Sequence, residues 1–569
     1  LSATNNNNQI GETLMSRFSV VASLVCLLGL ACLAAGSSAA QQPGPALTGT
    51  VMAGPEALEG VLVSAQKSGS TITVTVVSDK DGRYSFPATR LEPGAYALRI
   101  RAVGYDLDGP TQVSIAADKT ATADLALRAA KDIASQLSNA EWLASMSGTD
   151  AQKGQLLNCV GCHTLARPLN SKYTADEFLT MILPRMQGYV NQSMPSHPQL
   201  RRAERLREER GDQRVQVYRS TADYLASINL SAHPTWNFEF KTLPRPTGAA
   251  TRVIYTEYDL PRETIEPHDV IVDVNGMVWF SSFGEQYLSK LDPKTGKLTE
   301  FAIVEHKPGF PTGLLGLRSD AEGNLWFGNM YQATIAKFDP KTETFKFWPL
   351  EGEENIDAAQ INMVSPQSSA VDGKVWAQNN GFAGIHRLDV ATGKLETFEP
   401  FKGMSGPHNI YDVIPDSKNN VYFTDFRQRH IGRIDARTGA VDLYEIPTPN
   451  SAPRRGSLDP QDRLWFGEYR GDRIGMFDTK REEFKEWPIP PKWSSPYDVA
   501  VDRNGQAWTG SMLSDQVTRL NPATGETINY LLPRPTNIRR VFVDNSTSPV
   551  SFWAGNNHGA SIVKVEPLE

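Results

Sequence analysis

Two cysteines and a histidine form a short motif whose spacing points to a specific chemistry. The residues are Cys159, Val160, Gly161, Cys162 and His163, a C-x-x-C-H sequence. Two thiols at this spacing can add to the two vinyl groups of one haem, and the adjacent histidine then serves as the proximal iron ligand. The alternative is a redox or zinc-binding cysteine pair, but zinc needs further ligands at suitable spacing, and none is nearby. The motif therefore predicts one covalently bound haem c.

The second axial ligand of the iron is expected to be a methionine, whose thioether raises the reduction potential. Met181, Met186 and Met194 follow the motif in sequence. Met181 shares a helix face with Phe178 and is expected in the core. Met194 precedes a proline in a loop after that helix, and Met186 lies close to the helix end. We therefore expect Met194 to bind the iron, with Met186 as the alternative.

The first 40 residues have the pattern of a secretory signal. Met15-Ser16-Arg17 precedes an apolar run, Phe18–Ala35, and a small-residue stretch that ends at Ala40. This predicts a signal peptide that is cleaved after Ala40, with residues 1–14 as an upstream extension. Cleavage would leave only the two motif cysteines and no stable membrane anchor. We expect a bacterial protein that is periplasmic or secreted.

Length and charge limit the remaining possibilities. At 569 residues the chain is long enough for three or four domains of about 150 residues each. The formal net charge is -7 and there is no basic excess, so nothing supports a nucleic-acid partner. The composition is that of a soluble, multidomain protein.

Residues 47–128 are expected to form a small antiparallel β-sandwich, because short alternating strands are separated by turn signals such as Asp81-Gly82. Tyr84 and Phe86 are two residues apart and should both point into the sandwich. The segment resembles the carboxypeptidase regulatory-like domain in three stretches: Ser78–Phe86, Leu91–Tyr96 and Gly104–Tyr105. The resemblance implies an accessory module, which in some cases binds carbohydrate.

Residues 138–232 are expected to form an α-helical domain around the C-x-x-C-H motif. A short helix with Trp142 precedes the motif, a capping box of Thr174 and Glu177 begins a helix after it, and a last helix begins at Ser220. This order of helices and motif resembles a class I cytochrome c. The resemblance implies an electron-transfer domain.

Residues 251–569 repeat a four-strand unit around a column of aromatic residues: Trp279, Trp326, Trp376, Tyr422, Trp465, Trp508 and Trp553. Repeats of this kind predict a seven-bladed β-propeller. The last repeat stops after three strands, whereas residues 252–260 have the pattern of a fourth strand alone. We expect the two to pair and close the ring, which removes exposed sheet edges. The fold class is therefore a small β-sandwich, an α-helical cytochrome c domain and a seven-bladed β-propeller.

The repeats resemble the virginiamycin B lyase (streptogramin lyase) family in Leu464–Gly475 and in Tyr422–Ile434. The resemblance implies a metal-assisted site, in which a histidine at the start of an inner strand acts with a glutamate just after the aromatic residue. In this chain the acid position holds a carboxylate only at Asp425 and Glu468. Only the fourth repeat pairs such an acid with a histidine, His408.

Six side chains are expected to meet at one mouth of the propeller channel, as a candidate catalytic or binding site with room for Mg²⁺: His268, His408, Asp425, Arg454, Glu468 and Tyr497. A polar, concave cluster of this kind is the default hypothesis for a binding site. The alternative is a hydrated channel lining with no chemistry.

Three functions are consistent with these features. The first is an exported c-type cytochrome that transfers electrons, with a propeller that recognises a substrate or a redox partner. The second is a metal-assisted C–O lyase, and the third is a secreted carbohydrate- or polymer-binding protein with an accessory haem. The incomplete set of histidines and acids favours an electron-transfer protein, or a component of a periplasmic oxidoreductase, over a lyase. The expected partners are a redox protein or a small-molecule electron donor, and a carbohydrate for the third function.

Overall fold

The computed structural model describes residues 44–161, 163–183, 213–308, 310, 313–356, 359–381 and 383–568. Cys162, Met186, Met194 and the predicted signal peptide lie outside the described residues. Within the described part of the chain, no helix has the length and apolar character needed to span a membrane. The chain is multidomain, with a β-sandwich region, a small helical segment and a β-propeller of four-stranded blades.

The β-sandwich is formed by ten strands: β1 (Pro45–Ala53), β2 (Glu56–Ala57), β3 (Leu62–Lys67), β4 (Ile72–Val77), β5 (Arg83–Pro87), β6 (Gly94–Arg101), β7 (Tyr105–Gly109), β8 (Gln112–Ile115), β9 (Ala121–Thr122) and β10 (Leu125–Ala129). One sheet has the order β2-β1-β10-β7, with β5 and β9 also paired to β1, and the other has the order β4-β3-β6-β8. Tyr84 and Phe86 are 3% and 0% exposed, so the prediction that both point into the sandwich is confirmed.

The helical segment contains α1 (Asn139–Ser145), α2 (Asp150–Gln155), a 3₁₀ helix (Leu156–Gly161), α3 (Ala166–Leu169), α4 (Ala175–Glu177), a π-helical turn (Phe178–Ile182) and α5 (Gln213–Ile228). The predicted capping box of Thr174 and Glu177 is present at the start of α4. Two predictions are wrong. Met181 is 57% exposed rather than in the core, because the π-helical turn separates it from the buried face of Phe178, and the last helix begins at Gln213 rather than at Ser220.

The propeller has six separate four-stranded sheets, blades 1 to 6: β12 (Pro267–Val272), β13 (Val278–Ser282), β14 (Tyr287–Leu291), β15 (Leu298–Ala302); β16 (Leu314–Ser319), β17 (Leu325–Asn329), β18 (Thr334–Asp339), β19 (Thr344–Pro349); β20 (Ile361–Ser365), β21 (Lys374–Asn379), β22 (Gly384–Asp389), β23 (Leu395–Phe398); β24 (Ile410–Pro415), β25 (Val421–Asp425), β26 (His430–Ile434), β27 (Val441–Glu445); β28 (Pro453–Leu458), β29 (Arg463–Glu468), β30 (Arg473–Asp478), β31 (Glu483–Pro488); β32 (Pro496–Val501), β33 (Ala507–Ser511), β34 (Gln516–Leu520) and β35 (Thr527–Leu531).

Blade 7 combines three C-terminal strands with an earlier one: β36 (Ile538–Asp544), β37 (Ser551–Asn556), β38 (Ser561–Pro567) and β11 (Val253–Asp259). β11 pairs antiparallel to β38 from Val253 to Asp259, as predicted for the strand that closes the ring. The other edge of β11 pairs with β4 of the sandwich, which joins blade 7 and the sandwich in one eight-stranded sheet. The outer edge of this blade is therefore covered, which satisfies backbone groups that an edge strand leaves unpaired.

In four blades, the tryptophan of the aromatic column stabilises the hairpin between the first two strands. The indole Nε1 of Trp279 donates to Asp273 Oδ2 at 2.8 Å, and Trp465 Nε1 donates to Asp459 Oδ2 at 2.9 Å. The same contact recurs in two other blades. Because each indole is buried and each aspartate lies in the turn before the second strand, the repeat is a folding element rather than a binding site.

The helical segment lies on the propeller. Ala140 N donates to Leu513 O of blade 6 at 2.9 Å, and the side chain of Leu513 belongs to the same buried apolar cluster as Trp142. The chain after α5 then packs against α1, where Trp236 and Phe240 lie 5.6 and 5.5 Å from the ring of Trp142. These contacts hold the C-x-x-C-H segment at one mouth of the propeller channel.

Candidate functional site

The inner strand of each blade carries a β-bulge at the same position. The pairing register shifts after the first residue of each inner strand: Pro267, Leu314, Ile361, Ile410, Pro453, Pro496 and Ile538. A bulge interrupts the alternation of side chains and can re-aim them. As a result, two consecutive residues of each inner strand line the channel.

These residues form two layers. The upper layer consists of the first residue of each bulge, on the side of the helical segment: His268, Leu315, Asn362, Tyr411, Arg454, Tyr497 and Arg539. The lower layer consists of the second residue of each bulge: Asp269, Gly316, Met363, Asp412, Arg455, Asp498 and Arg540.

The lower layer contains a buried network of opposite charges. Arg455 of blade 5 donates two hydrogen bonds to Asp269 of blade 1, at 2.5 and 2.8 Å. Arg540 lies 2.9 Å from Asp498 in the neighbouring blade. Burial opposes the charge on Asp269, but Arg455 outweighs it and the pKa of this carboxyl is lowered. Asp269 is therefore ionised at neutral pH, and its bonds to Arg455 tie blades 1 and 5 together across the channel.

Blade 2 joins this network by a different route. Gly316 leaves no space for a side chain, because a Cβ there would lie 2.6 Å from Met363 Sδ. Arg318, two residues further along the strand, reaches across the channel to Asp412 of blade 4 at 2.7 and 2.8 Å. Burial lowers the pKa of Arg318 to about 10, against the pull of Asp412. The guanidinium remains charged at neutral pH.

A chain of hydrogen bonds runs through the upper layer. Tyr411 Oη is bonded to Tyr497 Oη, which lies 3.3 Å from His268 Nε2, and His268 Nδ1 lies 2.8 Å from Asp269 Oδ1. Burial lowers the pKa of His268 to about 3, so the imidazole is neutral. Because a carboxylate only accepts, Nδ1 carries the proton and Nε2 accepts from Tyr497.

Arg454 occupies a different environment from its neighbour Arg455. Its guanidinium lies over the rings of four aromatic side chains, at 4.1 to 4.9 Å from their centroids: Tyr411, Phe426, Tyr469 and Tyr497. Its Nε is buried with no hydrogen-bond partner among the described residues. Arg454 is thus held by cation–π contacts and has a polar atom available to a ligand.

His408 lies outside the upper layer. The residue of blade 4 that corresponds to His268 is Tyr411, three positions after His408. His408 stacks on Phe401 with 4.2 Å between ring centroids, and its Nδ1 lies 2.7 Å from Asp425 Oδ2. The two histidines thus occupy different positions, contrary to the expectation, because the loop before blade 4 places His408 upstream of the bulge.

The position just after the aromatic residue, where an acid was predicted to act with a histidine, has a structural role in three blades. Asp425 Oδ1 accepts from the backbone N–H of Asn409 at 3.0 Å, and Asn556 Oδ1 accepts from that of Asn537 at 3.1 Å. Asn379 makes the corresponding bond in blade 3 at 3.0 Å. In each case the acceptor fixes the residue just before the inner strand of its own blade.

Glu468 does not join the other predicted residues. Its carboxylate lies within blade 5, where a Cβ added at Gly471 or Gly475 would be 3.0 Å from its oxygens. Burial, together with the nearby Glu486, raises the pKa of Glu468 to about 9. The side chain is therefore a neutral acid at pH 7 on the flank of the blade, and the expected meeting of all six residues at the mouth does not occur.

The residues at the mouth do not fit Mg²⁺. This ion requires near-octahedral oxygen ligation. Both oxygens of Asp425 are bonded, to His408 and to the backbone of Asn409, and Glu468 points elsewhere. Across the described ranges, no three side chains of His, Cys, Asp or Glu are grouped so that they could hold a metal ion.

The C-x-x-C-H segment packs directly against blade 7. Asn537 Nδ2 donates to Val160 O at 3.0 Å, and Arg539 donates to Gly161 O at 3.1 Å. Cys159 is 4% exposed and belongs to the apolar cluster that also contains Tyr497. The segment therefore covers the mouth on the side of blades 6 and 7.

The described part of the motif fits a haem ligand. His163 Nδ1 lies 2.8 Å from Thr164 O, and since a carbonyl only accepts, Nδ1 carries the proton and Nε2 keeps its lone pair. Burial lowers the pKa of His163, which favours the neutral imidazole that binds metals. Cys162 and the two favoured methionines lie outside the described residues, so the second thiol and the second axial ligand stay predictions.

The open side of the mouth contains a cavity of about 630 Å³. Asn362, Tyr411 and Arg454 of the upper layer line it, and Leu157 and Asn158 of the helical segment close it from above. The residues that precede the first motif cysteine are thus part of the cavity wall.

The lower layer and Tyr411 were not predicted from the sequence, although the sequence contains a signal for the layer. Asp269, Asp412, Arg455 and Asp498 each stand ten residues before the aromatic residue of their own repeat. Ten residues before the aromatic column, four of the seven repeats therefore have a charged residue. Nothing in the sequence indicates that these positions are bulged.

Two family models match this chain. Residues 308–567 match the virginiamycin B lyase family, and residues 46–128 match the carboxypeptidase regulatory-like domain. No curated protein matches the chain.

Among solved structures, a streptogramin B lyase is 23% identical, covers 56% of this chain and 99% of its own length, and has a TM-score of 0.49. Virginiamycin B lyase from Staphylococcus aureus is 22% identical, with coverage of 55% and 99% and a TM-score of 0.47.

The fold and the layered channel define a multidomain protein with a β-propeller. More particularly, the chain combines a carboxypeptidase regulatory-like domain with a virginiamycin B lyase-like propeller. The helical segment lies outside both matched ranges, and its assignment as a cytochrome c domain stays a prediction.

Proposed function

We propose that this chain is an exported c-type cytochrome that binds one haem covalently, and that its propeller mouth recognises the electron donor or redox partner. The observation that carries this proposal is the position of the C-x-x-C-H segment, whose Val160 and Gly161 carbonyls are hydrogen-bonded by side chains of blade 7. Haem held by this segment would supply one-electron transfer. The segment and the recognition surface share one interface, so recognition and electron entry can occur at the same place.

The protein's own residues would orient the attachment site. Thr164 O fixes the orientation of His163, and Asn139 Oδ1 accepts from Leu165 N at 2.8 Å, which holds the chain just after the motif. Leu156 and Val160 are fully buried and exclude water on the side of the propeller. These contacts support a rigid, partly dry site for the proposed haem.

Covalent attachment is the direct test. Protein matured with a haem-attachment system should show a sharp α band on reduction and should keep its colour after acid-acetone extraction. A Cys159→Ser, Cys162→Ser variant should lose both properties, whereas Asn504→Ala, an exposed change in a hairpin of blade 6, should keep them. Extractable haem, or none at all, would refute the proposal.

The proposed methionine ligand has its own test. Met194→Ala should abolish the methionine-to-iron charge-transfer band in the far red, and if it does not, Met186→Ala should. Retention of the band in both variants would exclude both methionines.

A second candidate is a metal-assisted C–O lyase, and the match of residues 308–567 to the virginiamycin B lyase family supports it. This match supports a lyase directly, whereas none of the comparisons supports a haem. Against it, Asp425, the acid that pairs with His408, already has both oxygens bonded, and Asp269, the acid that pairs with His268, is bonded by Arg455. Ring opening of a streptogramin B by the purified protein with Mg²⁺ would establish the lyase, and an inert protein beside an active authentic lyase would exclude it.

A further inference from the structure

The described lining of the cavity at the mouth is basic. Four arginines are among its described lining residues, and no aspartate or glutamate is: Arg427, Arg429, Arg454 and Arg470. Arg429 pairs with Glu445, but the other three have no ion-pair partner among the described residues. Arg427 and Arg470 are exposed at the rim, whereas Arg454 is buried at the base. The cavity is therefore a concave site with an excess of positive charge.

The same cavity contains buried polar atoms that no described residue satisfies. They are Asn362 Oδ1, Asn380 Oδ1, Asn409 Oδ1 and Arg454 Nε. A buried polar atom without a hydrogen bond costs free energy, so four of them around one cavity indicate a missing partner. The amide oxygens require donors such as hydroxyl groups, and the guanidinium groups require an anion.

We propose that this cavity binds a polyhydroxy carboxylate, such as a sugar acid. Arginine binds carboxylates in a bidentate manner, which suits the rim arginines to the acid group of the ligand. The asparagine oxygens would accept from its hydroxyl groups, and the rings of Tyr411 and Phe426 provide an apolar wall. The volume of about 630 Å³ lies in the range of roughly 300–1,000 Å³ found for small-molecule sites.

This inference rests on the proposed function only in placing recognition at the propeller mouth. The ligand would touch Leu157 and Asn158, which lie directly before Cys159 in the chain. Binding itself requires no haem, so the two proposals can fail separately.

Titration calorimetry with D-gluconate on the full-length, haem-loaded protein tests the assignment. We expect gluconate to bind, while glucose, which lacks the carboxylate, and sulfate, which lacks the hydroxyl groups, bind at least about tenfold more weakly. Arg427→Gln with Arg470→Gln should weaken gluconate binding about tenfold or more, and Asn409→Ala about fivefold. Arg437→Gln, an exposed arginine in the hairpin between β26 and β27 and outside the cavity, should bind like the wild type.

Three results would overturn the inference: no gluconate binding, binding of glucose or sulfate as tight as that of gluconate, or equal loss in the Arg437→Gln control. A haem-free preparation separates the two proposals. Equal gluconate binding by the haem-free and haem-loaded proteins supports the inference whatever the outcome for the haem. Binding by the haem-free protein alone would overturn it, because the carboxylates of the haem itself would then fill the cavity.

Discussion

The two layers of the propeller channel come from the same bulges, yet their chemistry differs. Arg455 in the lower layer is completely buried and donates two hydrogen bonds to Asp269. Arg454, its neighbour in sequence, has aromatic rings around it and lines a cavity, and among the described residues it has no carboxylate partner and its buried Nε has no hydrogen bond. The lower layer therefore holds the blades together, and the upper layer is left for recognition.

The largest effect is expected in the lower layer. Arg455→Met should lower the free energy of unfolding by about 3–5 kcal/mol, because it leaves the buried charge of Asp269 without its main partner. Thermal unfolding monitored by tryptophan fluorescence would measure this loss. Arg437→Met, an exposed control, should change stability by no more than about 0.5 kcal/mol. A loss for Arg455→Met as small as that of the control would contradict the holding role of the lower layer.

Glu468, which belongs to neither layer, should make stability depend on pH. Its pKa of about 9 in the folded protein lies above its ordinary value of 4.5, so folding favours the protonated form. This stabilisation is complete below about pH 4.5 and is lost as the pH rises through about 9. Glu468→Gln cannot ionise and should match the wild type near pH 4, then become progressively more stable than the wild type as the pH rises toward 9. Parallel stability curves for the two proteins would exclude a buried neutral acid.

The contact between blade 7 and the C-x-x-C-H segment is expected to have an intermediate effect. Asn537→Ala removes the donor to Val160 O and should destabilise this segment locally by about 1–2 kcal/mol. Hydrogen exchange of the amides of residues 156–161 should become faster, while exchange in β14 of blade 1 stays the same. Asn504→Ala, in an exposed hairpin, should leave both rates unchanged. Unchanged exchange at residues 156–161 in Asn537→Ala would show that the contact does not hold the segment.

The smallest effect is expected in the upper layer. Arg454→Met should cost only about 0.5–1 kcal/mol, because the lost cation–π contacts are offset by removal of a buried guanidinium that has no ion-pair partner in the described part of the chain. Measuring Arg454→Met and Arg455→Met in the same unfolding experiment compares two adjacent residues of a single strand. Equal losses of unfolding free energy in the two variants would show that the two layers do not differ in their contribution to stability.

Much of the fold was predictable because its signals are local. Trp465 and Asp459 lie within one hairpin, Thr174 and Glu177 within one helical turn, and both contacts follow from spacing alone. The strand at Val253–Asp259 was also recognisable, since it completes a repeat that lacks a fourth strand. The pairing of β11 with β4 was not predictable, because nothing in either strand specifies which edge strand of another domain it will pair with.

The candidate site was predictable only in part. The sequence by itself determined the C-x-x-C-H motif and four of the relevant mouth residues: His268, Arg454, Tyr497 and Asp425, the acid at the end of β25. The tertiary structure decided that His408 lies outside the layer, that Glu468 turns away, and that Tyr411 and the arginines of the cavity come together. The physical reason is that a bulge shifts the strand register without a reliable sequence signal, and that cavity walls combine residues far apart in the chain.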